Sequence, residues 1–235
     1  MSGQPKDMRA LVITGGSVVR SAPAVGPFDV VIAADSGVDS AFALGLAPHV
    51  VIGDLDSVSD AGLRRVRETG IDVLASPTDK DLTDTELALA HLLDIGATHA
   101  TLLSPGGGRL DHAHGVLSAL ASPLLASVSI DAVIDTAHVT VLHGRTTRRI
   151  PKRSRLTALH AMNGVARGIT TTGFRWNLAG EDLAPWVSRG VSNEMAGAEA
   201  DVIIDEGTLI VIQPRAYFSH ALPPHAQSPS TEETR

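Results

Sequence analysis

The 235-residue chain is 43% hydrophobic and 19% charged, the balance of an ordinary soluble globule. Its 19 basic against 26 acidic side chains give a formal charge of −7, which argues against a broad basic surface for nucleic acid, although a metal could still bridge the protein to a polyanion. Cysteine chemistry is excluded because there is no cysteine, and without a signal-peptide core or a long apolar span we expect a cytoplasmic protein with no membrane partner.

From Met8 to about Asp135 short β-rich runs alternate with helical patterns. The runs are RALVIT, FDVVIAA, HVVIG, IDVLA, ATLLS and SVSIDAVID. Between them, SDAGLRRVRETG and TDTELALAHLLDIG each close on a glycine suited to a helix C-terminus. Leu87, Leu89, Ala90, Leu92 and Leu93 give the second pattern a broad apolar face. Residues 1–136 are therefore expected to form an α/β, Rossmann-like domain with a mainly parallel sheet covered on both faces. After about Ala137 come HVTVLHG, RTTRRIP, RLTALHA, GITTTGF, ADVIIDEG and TLIVIQP, with no long helix. That pattern predicts an all-β sandwich over 137–218. The polar, proline-rich stretch 219–235 is expected to be a disordered tail.

Four polar clusters fall at strand ends of the first domain: Asp35-Ser36-Gly37; Gly53-Asp54-Leu55-Asp56-Ser57; TDKDLTDTE with Asp79, Asp81 and Asp84; and SPGGGRLDH with Gly107, Gly108, Arg109, Asp111 and His112. Each has a structural alternative. Asp35, Asp54 and Asp56 could close turns, Thr83 and Glu86 fit a capping box, and the glycines could be a plain loop. Together, on one edge of a parallel sheet, these carboxylates would repel one another unless a hard cation lay among them. Oxygen ligands without sulfur suit Mg²⁺ with substrate phosphates, and a glycine loop ending in arginine suits phosphate oxygens. Leu55, in extended chain, would point away from that ion while both neighbouring acids face it. No G-x-x-x-x-G-K-[ST] or G-x-G-x-x-G motif is present.

The motifs AADSG, VVIGDLDS, KDLTDTELAL and GGGRLDH, followed by GVARGITTTGFRWNL, GVSNEMAG and GTLIVIQ, give the chain a pattern that resembles the thiamine pyrophosphokinase family from about residue 8 to 213. The resemblance implies transfer of the pyrophosphoryl group of ATP to the hydroxyl of thiamine, giving thiamine diphosphate and AMP, in a homodimer with sites between subunits. On the family pattern Asp54, Asp56 and Asp84 would hold Mg²⁺. Asp35, Arg109 and Asp111 would contact ATP or the metal shell, supported by Asp81, with Ser36, Thr83, Gly107, Gly108 and His112 completing the nucleotide contacts. Ser36 replaces part of the glycine pair usual after that aspartate. Trp176, Ser192 and Asn193 would bind thiamine, although a tryptophan in a chain with 3% aromatics is equally a core anchor and Ser-Asn equally a turn. A diphosphokinase for another heterocyclic alcohol, such as a hydroxymethylpterin, would share the α/β half. A sensor of ATP or thiamine diphosphate would have less need of so many acids.

Overall fold

The computed structural model describes residues 7–19, 27–77, 81–106 and 109–214. Gly107, Gly108, Asp79 and the expected tail lie outside the described residues.

Six parallel strands build the first half: β1 Arg9–Ile13, β2 Val30–Ala34, β3 Val50–Gly53, β4 Asp72–Ala75, β5 His99–Ser104 and β6 Ser129–Ile134. Each arises from one of the six apolar runs. Their order across the sheet is β4-β3-β2-β1-β5-β6, so the chain first winds outward from β1 and then returns to its other side. That reversal opens a crevice beyond the carboxyl ends of β1 and β5, where ligands of such sheets bind. Alternation along β1 feeds both faces. Ala10 and Val12 pack with Ala88, Leu89 and Leu92 of α3 (Asp84–Asp94) and Leu120 of α4 (Leu110–Leu120). Leu11 and Ile13 pack with Ala41 of α1 (Gly37–Ala43), and α2 (Asp60–Thr69) adds Val66 further along that face. The sheet is thus covered on both sides, as expected.

Helices α2 and α3 were legible because their ends are marked. Ser59 caps α2 by accepting from Gly62 N, and Gly70 closes it in the left-handed conformation at φ 66°. Thr83 and Glu86 form the expected reciprocal box on α3. Helices α1 and α4 carry no side-chain cap, and although Gly45 closes α1 in the left-handed conformation at φ 75°, neither was read from the sequence pattern.

The sandwich consists of β7 Ala137–His143, β8 Thr146–Pro151, β9 Leu156–Thr172, β10 Ala179–Leu183, β11 Asn193–Glu194, β12 Glu199–Ile204 and β13 Glu206–Gln213. The two segments expected from RLTALHA and GITTTGF are one strand, β9, of 17 residues. Its first half pairs with β13 and its second half with β10 and β12. Asn163 (φ 59°) and Gly164 (φ 139°) bend it between the two sheets. Leu142, Leu159, Ile169, Leu183, Val202 and Leu209 fill the space between. The boundary drawn at 136/137 is crossed by hydrogen bonding, because β6 pairs antiparallel with β7 and the parallel sheet runs on through β13 into β9. β10 and β11 were not foreseen: one is polar and largely exposed, the other only two residues long.

Candidate active site

The acids of the first domain meet at the carboxyl ends of β2 and β3. Asp35 leaves β2 at φ 47°, a left-handed position that aspartate tolerates better than most residues. Gly53 ends β3 at φ 144°, and a Cβ there would lie 3.0 Å from the Asp84 carboxylate and 3.2 Å from Asp35 Cβ. Only glycine lets the first turn of α3 close over β3 and bring Asp84 to Asp35. Asp54 and Asp56 follow, but the reason given for Leu55 is corrected. Leu55 sits at φ 64°, so a left-handed turn, not extended alternation, brings the two acids together. Leu55 itself packs against Ala33, Val38, Val51, Val58 and Val66, which holds the turn to the core.

One carboxylate oxygen from each of Asp35, Asp54 and Asp56 lies within 4.8 Å of the other two. Asp54 Oδ1 accepts from Asp56 N at 3.3 Å, and Asp84 Oδ1 accepts from Ser76 Oγ at 3.4 Å. The negative charge of Asp54 raises the Asp56 carboxyl above its ordinary range, with burial and then Asp35 acting in the same sense. Asp35 Oδ2 accepts from Ser57 Oγ, while its Oδ1 is buried without a hydrogen-bond partner among the described residues. A buried carboxylate oxygen without a donor, beside two further acids, fits a hard cation. Ser36 ties this edge together: its Oγ accepts from Gly16 N at 3.3 Å and lies 3.1 Å from Ser57 Oγ. Ser57 was named in its cluster but given no role, and the Gly15-Gly16 turn was missed by sequence reasoning, although it follows β1 at the same sheet edge.

The remaining nucleotide candidates stand differently. Arg109 precedes α4 and donates to Asp111 through Nε at 3.2 Å and Nη2 at 2.5 Å. Both are exposed, and the guanidinium lowers the Asp111 carboxyl to about 2. His112 adjoins this pair in the first turn of α4, and Asp81 is exposed ahead of α3. The Thr83 hydroxyl is engaged with Glu86, accepting from its N at 3.2 Å and donating to Oε2 at 2.8 Å. Thr83 thus acts as a helix cap in this structure.

At the far end of the sandwich Trp176 is 53% exposed, which corrects the reading of it as a core anchor. Its N donates to Asn193 Oδ1 at 3.2 Å and its O accepts from Asn193 Nδ2 at 2.8 Å. Asn193 is buried, and Ser192 before it turns the chain at φ 60°. The amide therefore positions Trp176. Arg175 and Glu194, adjoining these two in sequence, were not foreseen: Arg175 stacks on the indole and pairs with Glu194. In the strand order six strands lie between β3, which leads to Asp54 and Asp56, and β9, which leads to Trp176.

A parallel α/β sheet with an acidic edge thus runs into a sandwich that presents an exposed tryptophan, a two-part architecture. The comparisons with known proteins agree. Residues 25–133 match the family described as thiamin pyrophosphokinase, catalytic domain, and residues 149–209 match thiamin pyrophosphokinase, vitamin B1 binding domain. The thiamine pyrophosphokinase of Bacillus subtilis is 23% identical over 183 residues, covering 77% of this chain and 86% of that protein. Its crystal structure superposes with a TM-score of 0.76 at 21% identity, covering 89% of this chain and all of that one. A thiamin pyrophosphokinase family protein of Enterococcus faecalis gives 0.73 at 25% identity, covering 89% and 100% of the two chains. The enzyme of Candida albicans gives 0.70 at 12% identity, covering 89% and 90%. The chain belongs to the thiamin pyrophosphokinase family.

Proposed function

We propose that the protein transfers the pyrophosphoryl group of ATP to the hydroxyl of thiamine, giving thiamine diphosphate and AMP, with Mg²⁺ held by Asp54, Asp56 and Asp84 and assisted by Asp35. The observation that carries the metal assignment is the convergence of one carboxylate oxygen each from Asp35, Asp54 and Asp56, with Asp84 close by but outside that group of three. The metal would neutralise and align the ATP phosphates, which is most of what phosphoryl-type transfer asks of a protein. Arg109, exposed and paired with a neighbour two residues away, exchanges Asp111 for a phosphate oxygen. One carboxylate of the acidic edge accepts the thiamine hydroxyl proton. The match over 149–209 favours thiamine over a pterin alcohol, and the gathered acids favour catalysis over sensing.

The acids and Trp176 belong to opposite halves of the strand order, which supports a homodimer in which each acidic edge meets the partner's Trp176. Exposed Trp186, Val187 and Val191, on the loop leading to Asn193, supply apolar surface for such a contact. Among the described residues no helix is long and apolar enough to cross a membrane, and we place the enzyme in the cytoplasm.

The test is AMP release from ATP and Mg²⁺ with thiamine or a hydroxymethylpterin. Release with the pterin and none with thiamine would overturn the substrate. For the dimer, inactive Asp54→Asn and Trp176→Ala proteins are mixed and allowed to exchange subunits. Activity should return, since a mixed dimer regains one complete site. Persistent inactivity after proven exchange would refute the shared site.

A further inference from the structure

The tryptophan site shows, through its present occupant, the chemistry it takes. The Arg175 guanidinium carbon lies 4.6 Å from the centre of the Trp176 ring. Arg175 Nη1 is 3.5 Å from Glu194 Oε2, and Arg155 Nη2 donates to both oxygens of that carboxylate at 3.1 Å. A planar, delocalised cation therefore rests on an indole face with a carboxylate at its edge. The indole does not depend on it, because the Asn193 amide fixes the Trp176 backbone from both sides. Nor does the carboxylate, because Arg155 holds Glu194 independently.

The thiazolium of thiamine is also a planar cation with delocalised charge. Two such cations cannot share one face of one indole, since they would be in steric and electrostatic conflict. We propose that Arg175 is a placeholder on the thiamine-binding face of Trp176, displaced when thiazolium arrives, and that Glu194 is the counter-charge that selects a cationic heterocycle over a neutral one. This rests on the assignment of Trp176 to thiamine made above. The exchange replaces one cation by another, so the indole face and the carboxylate are balanced before and after. A neutral ring would have to expel Arg175 and return no charge to the indole face, leaving Glu194 with Arg155 alone. The arrangement thus predicts, on this chain's own residues, discrimination against neutral heterocyclic alcohols.

The test uses the full-length enzyme, with calorimetric binding of thiamine and of its neutral thiophene counterpart, in which carbon replaces the quaternary nitrogen. Removing the competing cation in Arg175→Ala should tighten thiamine about threefold to fivefold, the worth of one exposed cation–π contact. Glu194→Gln should weaken thiamine by a similar factor while leaving the thiophene within about twofold, so that the preference for a cation collapses. Weaker thiamine binding in Arg175→Ala would overturn the placeholder, since the guanidinium would then support the ligand from the opposite face. Equal losses of both ligands in Glu194→Gln would overturn the counter-charge role. Trp176→Leu separates the two levels: unchanged thiamine binding there would refute the tryptophan assignment itself, and the placeholder with it.

Discussion

The two ends of the molecule handle charge in opposite ways. At the edge of the parallel sheet Asp35, Asp54, Asp56 and Asp84 crowd together, and Asp56 is raised by its neighbours. At the sandwich, Glu194 lies between Arg155 and Arg175, and is lowered chiefly by its hydrogen bond from Arg155. The first cluster gathers like charges close together; in the second the carboxylate is paired with guanidinium groups of the same chain. Unbalanced charge is where the fold accepts a destabilising arrangement for chemistry, and balanced charge is where a ligand must compete with a resident. Perturbing each should therefore give results of different kind.

The largest expected effect is at the acidic edge. Asp54→Asn should lower kcat by about 10²–10³ or more, the scale of losing a charge-stabilising group in an active site. In magnesium-free protein it removes the charge that raises Asp56, so the Asp56 carboxyl should fall back toward its ordinary range in an NMR titration. Mg²⁺ at a hundredfold excess over its Kd should stabilise the parent by about 2.7 kcal/mol, several degrees for a chain of this size, and this shift should vanish in the variant. A magnesium shift that survives Asp54→Asn would move the metal elsewhere.

Next in size is the sandwich support. Asn193 is buried and serves both backbone groups of Trp176. Asn193→Ala strands those groups, at about 1–3 kcal/mol, and should lower the melting temperature and raise KM for thiamine more than KM for ATP. An equal rise in both would show that Asn193 acts on the whole fold, not on the tryptophan. The Thr83 cap is smaller: Thr83→Ala should cost about 1 kcal/mol, read by thermal melting, and Thr83→Ser should restore it. A large rise in KM for ATP in Thr83→Ala with unchanged melting would return the hydroxyl to the nucleotide.

What could be read in advance follows the same division. The six strands of the α/β half announced themselves as short apolar runs, even β4, which is exposed at the sheet edge, and α2 and α3 by their caps, because those signals are local. The acids could be grouped before the structure was known because strand ends of a parallel sheet share an edge. Leu55 went wrong in its reason because a left-handed turn leaves no hydrophobic period. In β9 the bend at Asn163-Gly164 looks like a break in sequence, yet pairing to β13 and then to β10 and β12 keeps the strand continuous. Arg175 and Glu194 were invisible as a pair because β11 meets β9 only through tertiary pairing.

The smallest effects are expected from acid titration, and they carry the comparison of charge into a single measurement. Asp56 is raised above its ordinary 3.8, first by the charge of Asp54. A raised carboxyl contributes stability that is complete below 3.8 and lost as pH climbs through the folded value. In magnesium-free protein Asp56→Asn should therefore melt higher than the parent at pH 7, with the gap closing as pH falls toward 3.8. Asp111, lowered to about 2 by the hydrogen bonds from Arg109, has the opposite sign. Its contribution is present above 3.8 and fades as pH falls toward 2, so Asp111→Asn should melt lower than the parent at pH 7, and the gap should close only in that acid window. Both groups are exposed, so each difference should be small and should shrink in salt. Adding Mg²⁺ at neutral pH should reverse the sign for Asp56 alone, because only there does an arriving cation turn repulsion into binding. If both variants respond alike to magnesium, Asp111 belongs to the metal's surroundings and the edge holds five acids in place of four.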